Sequence, residues 1–304
     1  MGFNKQNINK VFNHSESILK YKNPTMFIEK YMIGYDAGRG TVEPLKLFHF
    51  QTKILRHIED NKFSIFLKSR QQYMDTLMAA YILHYMIFNC DKTVVYLAPK
   101  MENSYNFMEK FKTMMHNVPF CPETIINNQT TVKLSNGSFL KCASDSANSV
   151  LGFSIDILLV SEGAFFKNLR EIHTCTIAAI FAHENTKSIF YSNPGPEDYF
   201  YNELWSNSII KDNIFAPKQI HWKDNPNCTD KWYQEQCLML GNDEDVIDTE
   251  LDLQFMPIKQ KNIAMLNIRV PNAMNYDIIK RATDYGSVSN YVRTLILKDL
   301  SNKE

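Results

Sequence analysis

The residues most open to a chemical reading lie in Ser64-Ile65-Phe66-Leu67-Lys68-Ser69-Arg70-Gln71-Gln72-Tyr73-Met74-Asp75-Thr76. A short apolar run gives way to a tight polar loop, after which Leu77, Ala80, Tyr81 and His84 recur near one helical face. A strand that turns directly into a helix makes an anion site. The first-turn N–H groups lack intrahelical acceptors, and the helix dipole is positive there. Phosphate-binding chains fill that corner with G-x-x-x-x-G-K-[ST]. Set against this pattern, Ser69 stands for the first Gly, Tyr73 for the second, Met74 for the Lys and Asp75 for the Mg-binding hydroxyl. Tyr73 crowds a place where backbone must approach phosphate. Met74 lacks the ammonium that neutralises β/γ-phosphate charge, and Asp75 sets a carboxylate in an anion corner. Asp is also a favoured N-cap, so Asp75 is expected to cap the helix and fill the vacated site itself.

The elements that must position this loop follow from periodicity. Thr93 to Ala98 is a β-rich run closed by Pro99, and Ile155 to Val160 is an apolar strand interrupted only by Asp156. Ser188 to Ser192 is another strand, ended by Asn193-Pro194-Gly195. Thr130–Leu134 and Phe139–Cys142 flank Asn136-Gly137, the strongest short hairpin signal. Helical spacing marks Thr52 to Asp60 and the series Tyr105, Met108, Phe111, Met115, while Gly34, Gly38 and Gly40 are expected to open a loop. Strands alternating with helices over residues 45–195 predict an α/β fold, a mainly parallel sheet covered on both faces. Ligands on such sheets bind at the carboxyl ends of the strands. Lys68–Thr76, Pro99–Glu102, Ser161–Glu162 and Ser192–Gly195 should therefore converge on one crevice.

Composition narrows the class. The chain has 304 residues, 44% apolar, enough for one large domain or two modest ones. Lys+Arg and Asp+Glu balance at 33 each, so no global charge announces a partner. Six scattered cysteines form no C-x-x-C spacing, which excludes the usual zinc patterns and fits reduced thiols. The polar start of the chain lacks the apolar centre of a signal peptide, and no run reaches the ~20 apolar residues of a membrane span. A soluble, intracellular protein without membrane contact is expected.

In order and spacing, several motifs resemble the ATPase domain of the large terminase subunit of tailed bacteriophages, of the myovirus type, which pumps DNA into capsids. They include Asn23-Pro24-x-x-Phe27-Ile28, Leu47-x-x-Phe50-Gln51, Lys68-Ser69-Arg70-Gln71 and Leu134-Ser135-Asn136-Gly137-Ser138. Glu162-x-Ala164-Phe165, Asn193-Pro194 with Phe200-Tyr201, and His221-Trp222-x-x-x-Pro226 followed by Trp232 complete the set. The likeness runs from about Asn23 to Phe255. It implies a P-loop NTPase fold, ATP and Mg as cofactors of a working site, and a host-cytoplasmic, phage-encoded protein that meets double-stranded DNA, portal or motor subunits. It also implies an adenine contact for Gln51, an arginine finger for Arg70, and a coupling motif at Ser192-Asn193-Pro194. The family's strand-end Asp-Glu pair, a Mg-coordinating Asp and a water-polarising Glu, appears here as Ser161-Glu162. Together with Tyr73, Met74 and Asp75, Ser161 makes the nucleotide site degenerate, so a pseudoenzyme without bound cofactor is expected.

After Phe255 about fifty residues remain, too few for the nuclease domain that large terminases carry. Three parts are expected: a polar arm over 1–22, the ATPase-like body over 23–256 and a tail over 257–304. In the tail, Met265-Leu266-Asn267-Ile268-Arg269-Val270 alternates as a half-exposed strand and two helical patterns follow, split at Gly286-Ser287. This order resembles the ribbon-helix-helix module, whose strands pair between two chains and lie in the major groove. The resemblance implies a homodimer in which Met265, Asn267 and Arg269 face bases while Ser287 and Ser289 grip phosphate. The tail carries +4 and the remainder −4, a split that suits a basic DNA-reading appendage. Three functions stay open on the sequence: a catalytically inactive packaging protein that acts by binding, an active packaging ATPase with an unorthodox site, and a transcriptional repressor with a terminase-derived body. Asp243-Glu244-Asp245 reads as a solvated turn and not as a metal site.

Overall fold

The computed structural model describes residues 19–36, 41–145, 152, 154–181, 186–195, 199–255 and 280–281. Two strands, Ile33–Asp36 (β1) and Thr41–Pro44 (β2), pair antiparallel, so Gly34 lies within a strand opposite Glu43 and not in the expected loop. The main sheet is built from Phe63–Lys68 (β3), Thr93–Ala98 (β4), Thr124–Asn127 (β5), Thr131–Leu134 (β6), Phe139–Ser144 (β7), Ile157–Ser161 (β8), Lys187–Ser192 (β9) and Ala216–Ile220 (β10). Its order is β10-β3-β9-β8-β4-β7-β6-β5. Pairing is parallel from β10 through β7 and antiparallel at β7–β6 and β6–β5. The expected α/β class, a mainly parallel sheet with helices, is the architecture found. Asn136-Gly137 makes the β6–β7 turn, with Gly137 at φ +85°, a region that costs an L side chain energy.

Strict alternation explains why both faces of the sheet need cover. Phe66, Val94, Tyr96, Leu159 and Tyr191 enter one core, while Leu67, Val95, Val160 and Phe190 enter the other. Helices Pro24–Tyr31 (α1), His49–Asp60 (α2), Met74–Phe88 (α3) and Met101–Met115 (α4) cover the first face through Phe27, Ile54, Leu77 and Phe111. Helix Leu169–Phe181 (α5) serves the second face with Ile172, joined by Phe200 and Leu204 from a π-helical turn, Phe200–Trp205. Two short helices, Asp230–Met239 (α6) and Glu244–Glu250 (α7), frame a third apolar cluster of Trp222, Cys228 and Leu251. Helix α3 buries every residue from Leu77 to Leu83, not a single stripe, because it lies inside the helical layer. All six cysteines are free.

The chain divides into two compact units, Met1–Lys259 and Gln260–Glu304. Only Lys280 and Arg281, both helical, are described in the second. Met265, Asn267, Arg269, Ser287 and Ser289 therefore lie outside the described residues, as does most of the polar arm.

Candidate functional site

Strand β3 ends at Lys68, and α3 begins only at Met74, so the loop spans five residues. Tyr73 is the N-cap and holds φ +55°, ψ +30°, and Gln71 is also left-handed at φ +60°. The loop thus keeps the backbone turn a glycine would make freely, at ~1–2 kcal/mol for a residue with a side chain. The Tyr73 ring is 52% exposed at the crevice mouth. Asp75 is not the cap that the sequence suggests. It sits at the second helical position, and its Oδ1 accepts from Ser161 Oγ at 3.0 Å and Tyr191 OH at 2.6 Å. Two hydroxyls from neighbouring strand ends, the Tyr191 bond the shorter, outcompete a local amide. No side chain caps α3, so Asp75 does not fill the anion corner. Burial first, and the Asp75 charge second, push the Tyr191 and Tyr96 hydroxyls well above the usual phenol range, which keeps both protonated.

Counting the pattern's four intervening residues back from Tyr73 reaches Lys68, one position before Ser69. Ser69 is fully buried, donates Oγ–H to the Leu251 carbonyl at 2.6 Å and accepts the Trp222 N–H at 3.0 Å. It ties the loop to the third cluster and offers nothing to a ligand. Met74 is buried in the main core, also without a polar role. Lys68, which the sequence reading passed over, extends into the crevice: Nζ stands 2.8 Å from Glu162 Oε1 and donates to Asn193 Oδ1. An ammonium therefore enters from the strand end and not from Met74. A lysine closing an otherwise apolar strand beside a polar loop was the available signal.

Two carboxylates flank this lysine. Glu162 follows β8 in a left-handed conformation, φ +54°, which turns the chain into the 3-10 segment Gly163–Phe165. Gly163 is required there, because a Cβ would come within 2.8 Å of the Phe200 ring. The Asn193 N–H donates to Glu162 Oε2 at 3.4 Å, and its side-chain Nδ2 donates to Glu250 Oε2 at 3.0 Å. Arg70 reaches the same carboxylate, Nε to Oε2 at 3.5 Å, and its backbone N–H donates to the Glu250 carbonyl. Ser192 Oγ accepts from the Ala164 N–H at 3.1 Å, and Pro194 follows. The segment Ser192-Asn193-Pro194 thus touches both acids and the turn after β8.

These groups open onto one crevice of about 660 Å3 at the carboxyl ends of the parallel strands. Lys68, Arg70, Lys100 and Lys110 line it against Asp75, Glu162 and Glu250, with Gln71 and Tyr73 along the loop and Thr76 in the first turn of α3. Gln51 is not brought there. Its Oε1 accepts the Phe48 N–H at 3.0 Å and caps α2, which begins at His49 and not at the expected Thr52. Trp222 is buried and stacks on Tyr233 at 4.7 Å, so the His221-Trp222 pair supports the third cluster. Asp243 caps α7 by accepting the Val246 N–H. The arrangement suits anionic oxygens: uncapped amides of α3 on one side, the Lys68 ammonium on the other.

Solved structures share this fold. The HK97 bacteriophage large terminase superposes with a TM-score of 0.62 at 16% identity, over 77% of this chain and 55% of that one. The large terminase of a thermophilic bacteriophage, in complex with ADP, gives 0.57 at 13% identity, covering 69% and 54%. The large terminase ATPase domain of Thermus phage P74-26 gives 0.53 at 15% identity, covering 69% and 94%. The chain spans about half the length of the first two proteins. The family described as terminase large subunit, T4likevirus-type, N-terminal, matches residues 65–261, from the middle of β3 past the end of the body. On that match and on the parallel sheet with its strand-end crevice, this chain belongs to the T4likevirus-type large terminase family.

Proposed function

We propose that this chain is a phage-encoded DNA-packaging protein whose body takes a nucleoside triphosphate in the strand-end crevice. The observation that carries this reading is Lys68, which supplies from β3 the ammonium missing at Met74, beside an uncapped helix N-terminus. A related large terminase has been solved with ADP and with ATP-γ-S, which supports nucleotide as the ligand class. Glu162 is the group that would polarise water, and Arg70, half exposed at the rim, is the trigger residue. Turnover is slow: Tyr73 replaces the glycine of the loop, Lys68 is tied to Glu162, and one misplaced electrostatic group costs ~10²–10³ in rate. Isothermal titration with ATP·Mg, paired with phosphate release in the presence of double-stranded DNA, tests the reading. Binding with weak release is expected; absence of binding at millimolar ATP overturns it.

A second reading, favoured by the Tyr73 ring at the mouth, makes the body an inert scaffold that acts by binding DNA, portal or motor subunits. In both readings the tail over 257–304 is the double-stranded-DNA reader and the homodimer contact, through Met265, Asn267, Arg269, Ser287 and Ser289. Its +4 charge supports this role, in the host cytoplasm where packaging takes place. Sedimentation of the full chain should give a dimer, and footprinting a defined protected site. Protection at one operator in place of general duplex binding would favour the repressor function.

A further inference from the structure

The Asp75–Ser161 contact is the most informative feature below the loop. In the pattern of phosphate-binding loops, the second helical residue supplies a hydroxyl to Mg, and in the family this chain resembles the strand opposite supplies an Asp. Here the helix carries the carboxylate and the strand the hydroxyl, 3.0 Å apart. Substitution at either position alone would leave two carboxylates or two hydroxyls together. The two departures make sense as one exchange, which keeps a carboxylate and a hydroxyl at the same juncture. We propose that Asp75 and Ser161 form a transposed divalent-cation site, with Asp75 as the charged ligand, working on the nucleotide reading given above.

Of the two groups, Asp75 lines the crevice, while Ser161, 1% exposed, holds the carboxylate from behind. Asp75 Oδ1 is occupied by the Ser161 and Tyr191 hydroxyls, while no partner holds Oδ2 among the described residues. Just behind, the fully buried Tyr96 hydroxyl finds no partner of hydrogen-bond geometry. This local polar surplus is what a hydrated cation would organise. No group of three or more His, Cys, Asp or Glu that could hold a metal occurs among the described residues. Mg2+ uses one or two protein oxygens and takes the rest of its octahedron from phosphates and water, so Asp75 alone could serve as its charged protein ligand. Held by Asp75, such an ion would supply charge neutralisation for a phosphate in the crevice. Tyr191 holds the carboxylate rotamer against β9, and Glu162, the next residue after Ser161, stays committed to Lys68.

The test uses Mn2+ as the probe, by electron paramagnetic resonance, on the full chain with and without ADP, alongside ADP binding in EDTA. Asp75→Asn keeps the shape and an acceptor for the two hydroxyl donors, and should weaken Mn2+ binding in the ADP complex at least tenfold, with the chain still folded and the melting temperature lowered by the loss of charge from those two bonds. Ser161→Asp alone brings two carboxylates together and should lower the melting temperature in EDTA, with divalent cation restoring it. The double variant Asp75→Ser, Ser161→Asp restores the usual arrangement and should recover Mn2+ affinity to within about threefold. ADP binding that is retained in EDTA, with Mn2+ affinity indifferent to Asp75→Asn, overturns the transposed site and leaves the nucleotide reading standing. Absence of ADP binding under every condition overturns both. Failure of the double variant, with both single variants folded, overturns the exchange.

Discussion

Lys68 Nζ stands 2.8 Å from Glu162 Oε1, so the ammonium and the acid of the crevice neutralise each other across the ends of β3 and β8. Phosphate oxygens entering the crevice must compete with Glu162 for that ammonium. Separating them is the step by which a ligand could free Glu162 to orient water.

Glu162→Gln keeps the shape and removes the charge. It should leave nucleotide affinity unchanged or raise it, while any phosphate release falls ~10²-fold or more. Lys68→Met should do the reverse to affinity, lowering it at least tenfold, and should also lower the melting temperature. Breaking a largely buried pair from one side strands the other charge at ~3–5 kcal/mol in the fully buried limit, less here because Glu162 is partly exposed. Titration calorimetry and thermal unfolding of both variants check this.

Tyr73→Gly relieves a left-handed φ of +55° and opens the loop to phosphate. The relief of ~1–2 kcal/mol is offset by the greater freedom of glycine in the unfolded chain, ~0.5–1 kcal/mol. Stability should change little, and ATP affinity should rise. An unchanged affinity would show that the Tyr73 ring does not obstruct the ligand.

Ser69→Ala leaves the Leu251 carbonyl and the Trp222 N–H without their shared hydroxyl. Each unsatisfied buried group costs ~1–3 kcal/mol, so urea unfolding should show a loss of about 2 kcal/mol or more. The same variant should loosen Glu250 at the loop, readable as faster amide exchange at Arg70, whose N–H donates to the Glu250 carbonyl.

His173 lies between Phe190 and Phe215 with Nδ1 2.8 Å from Tyr199 OH, and burial pushes its pKa down from 6.5 to about 4. A depressed folded pKa means the unfolded chain takes up the proton first as pH falls. The stability that neutral His173 contributes is fully present above pH 6.5 and is lost between there and about 4. The upper limit is on the order of 3 kcal/mol. In His173→Phe, denaturant midpoints should fall less steeply over that window.

Much of the scaffold was legible from the order of residues. Near-continuous apolar runs marked β4, β8 and β9 because each strand faces two cores, and Asn136-Gly137 marked its turn because few other pairs tolerate that backbone. Elements without such contrast were missed: β10 with its Pro217 and Lys218, exposed β5, and β1 with Gly34 in its middle. Their pairing is set by neighbouring strands and not by their own pattern. Gln51 shows the limit for single residues, since its role as a helix cap depends on where α2 starts.

By itself the sequence determined the α/β class and the four strand ends that carry polar residues. Local periodicity and residue chemistry suffice for that, because each depends only on near neighbours along the chain. Only the tertiary structure decided which of these residues stand together. Lys68 meets Glu162 across 94 positions and Asp75 meets Ser161 across 86. Such partnerships arise from strand order, which brings β3, β9 and β8 side by side, and nothing in linear spacing encodes that order.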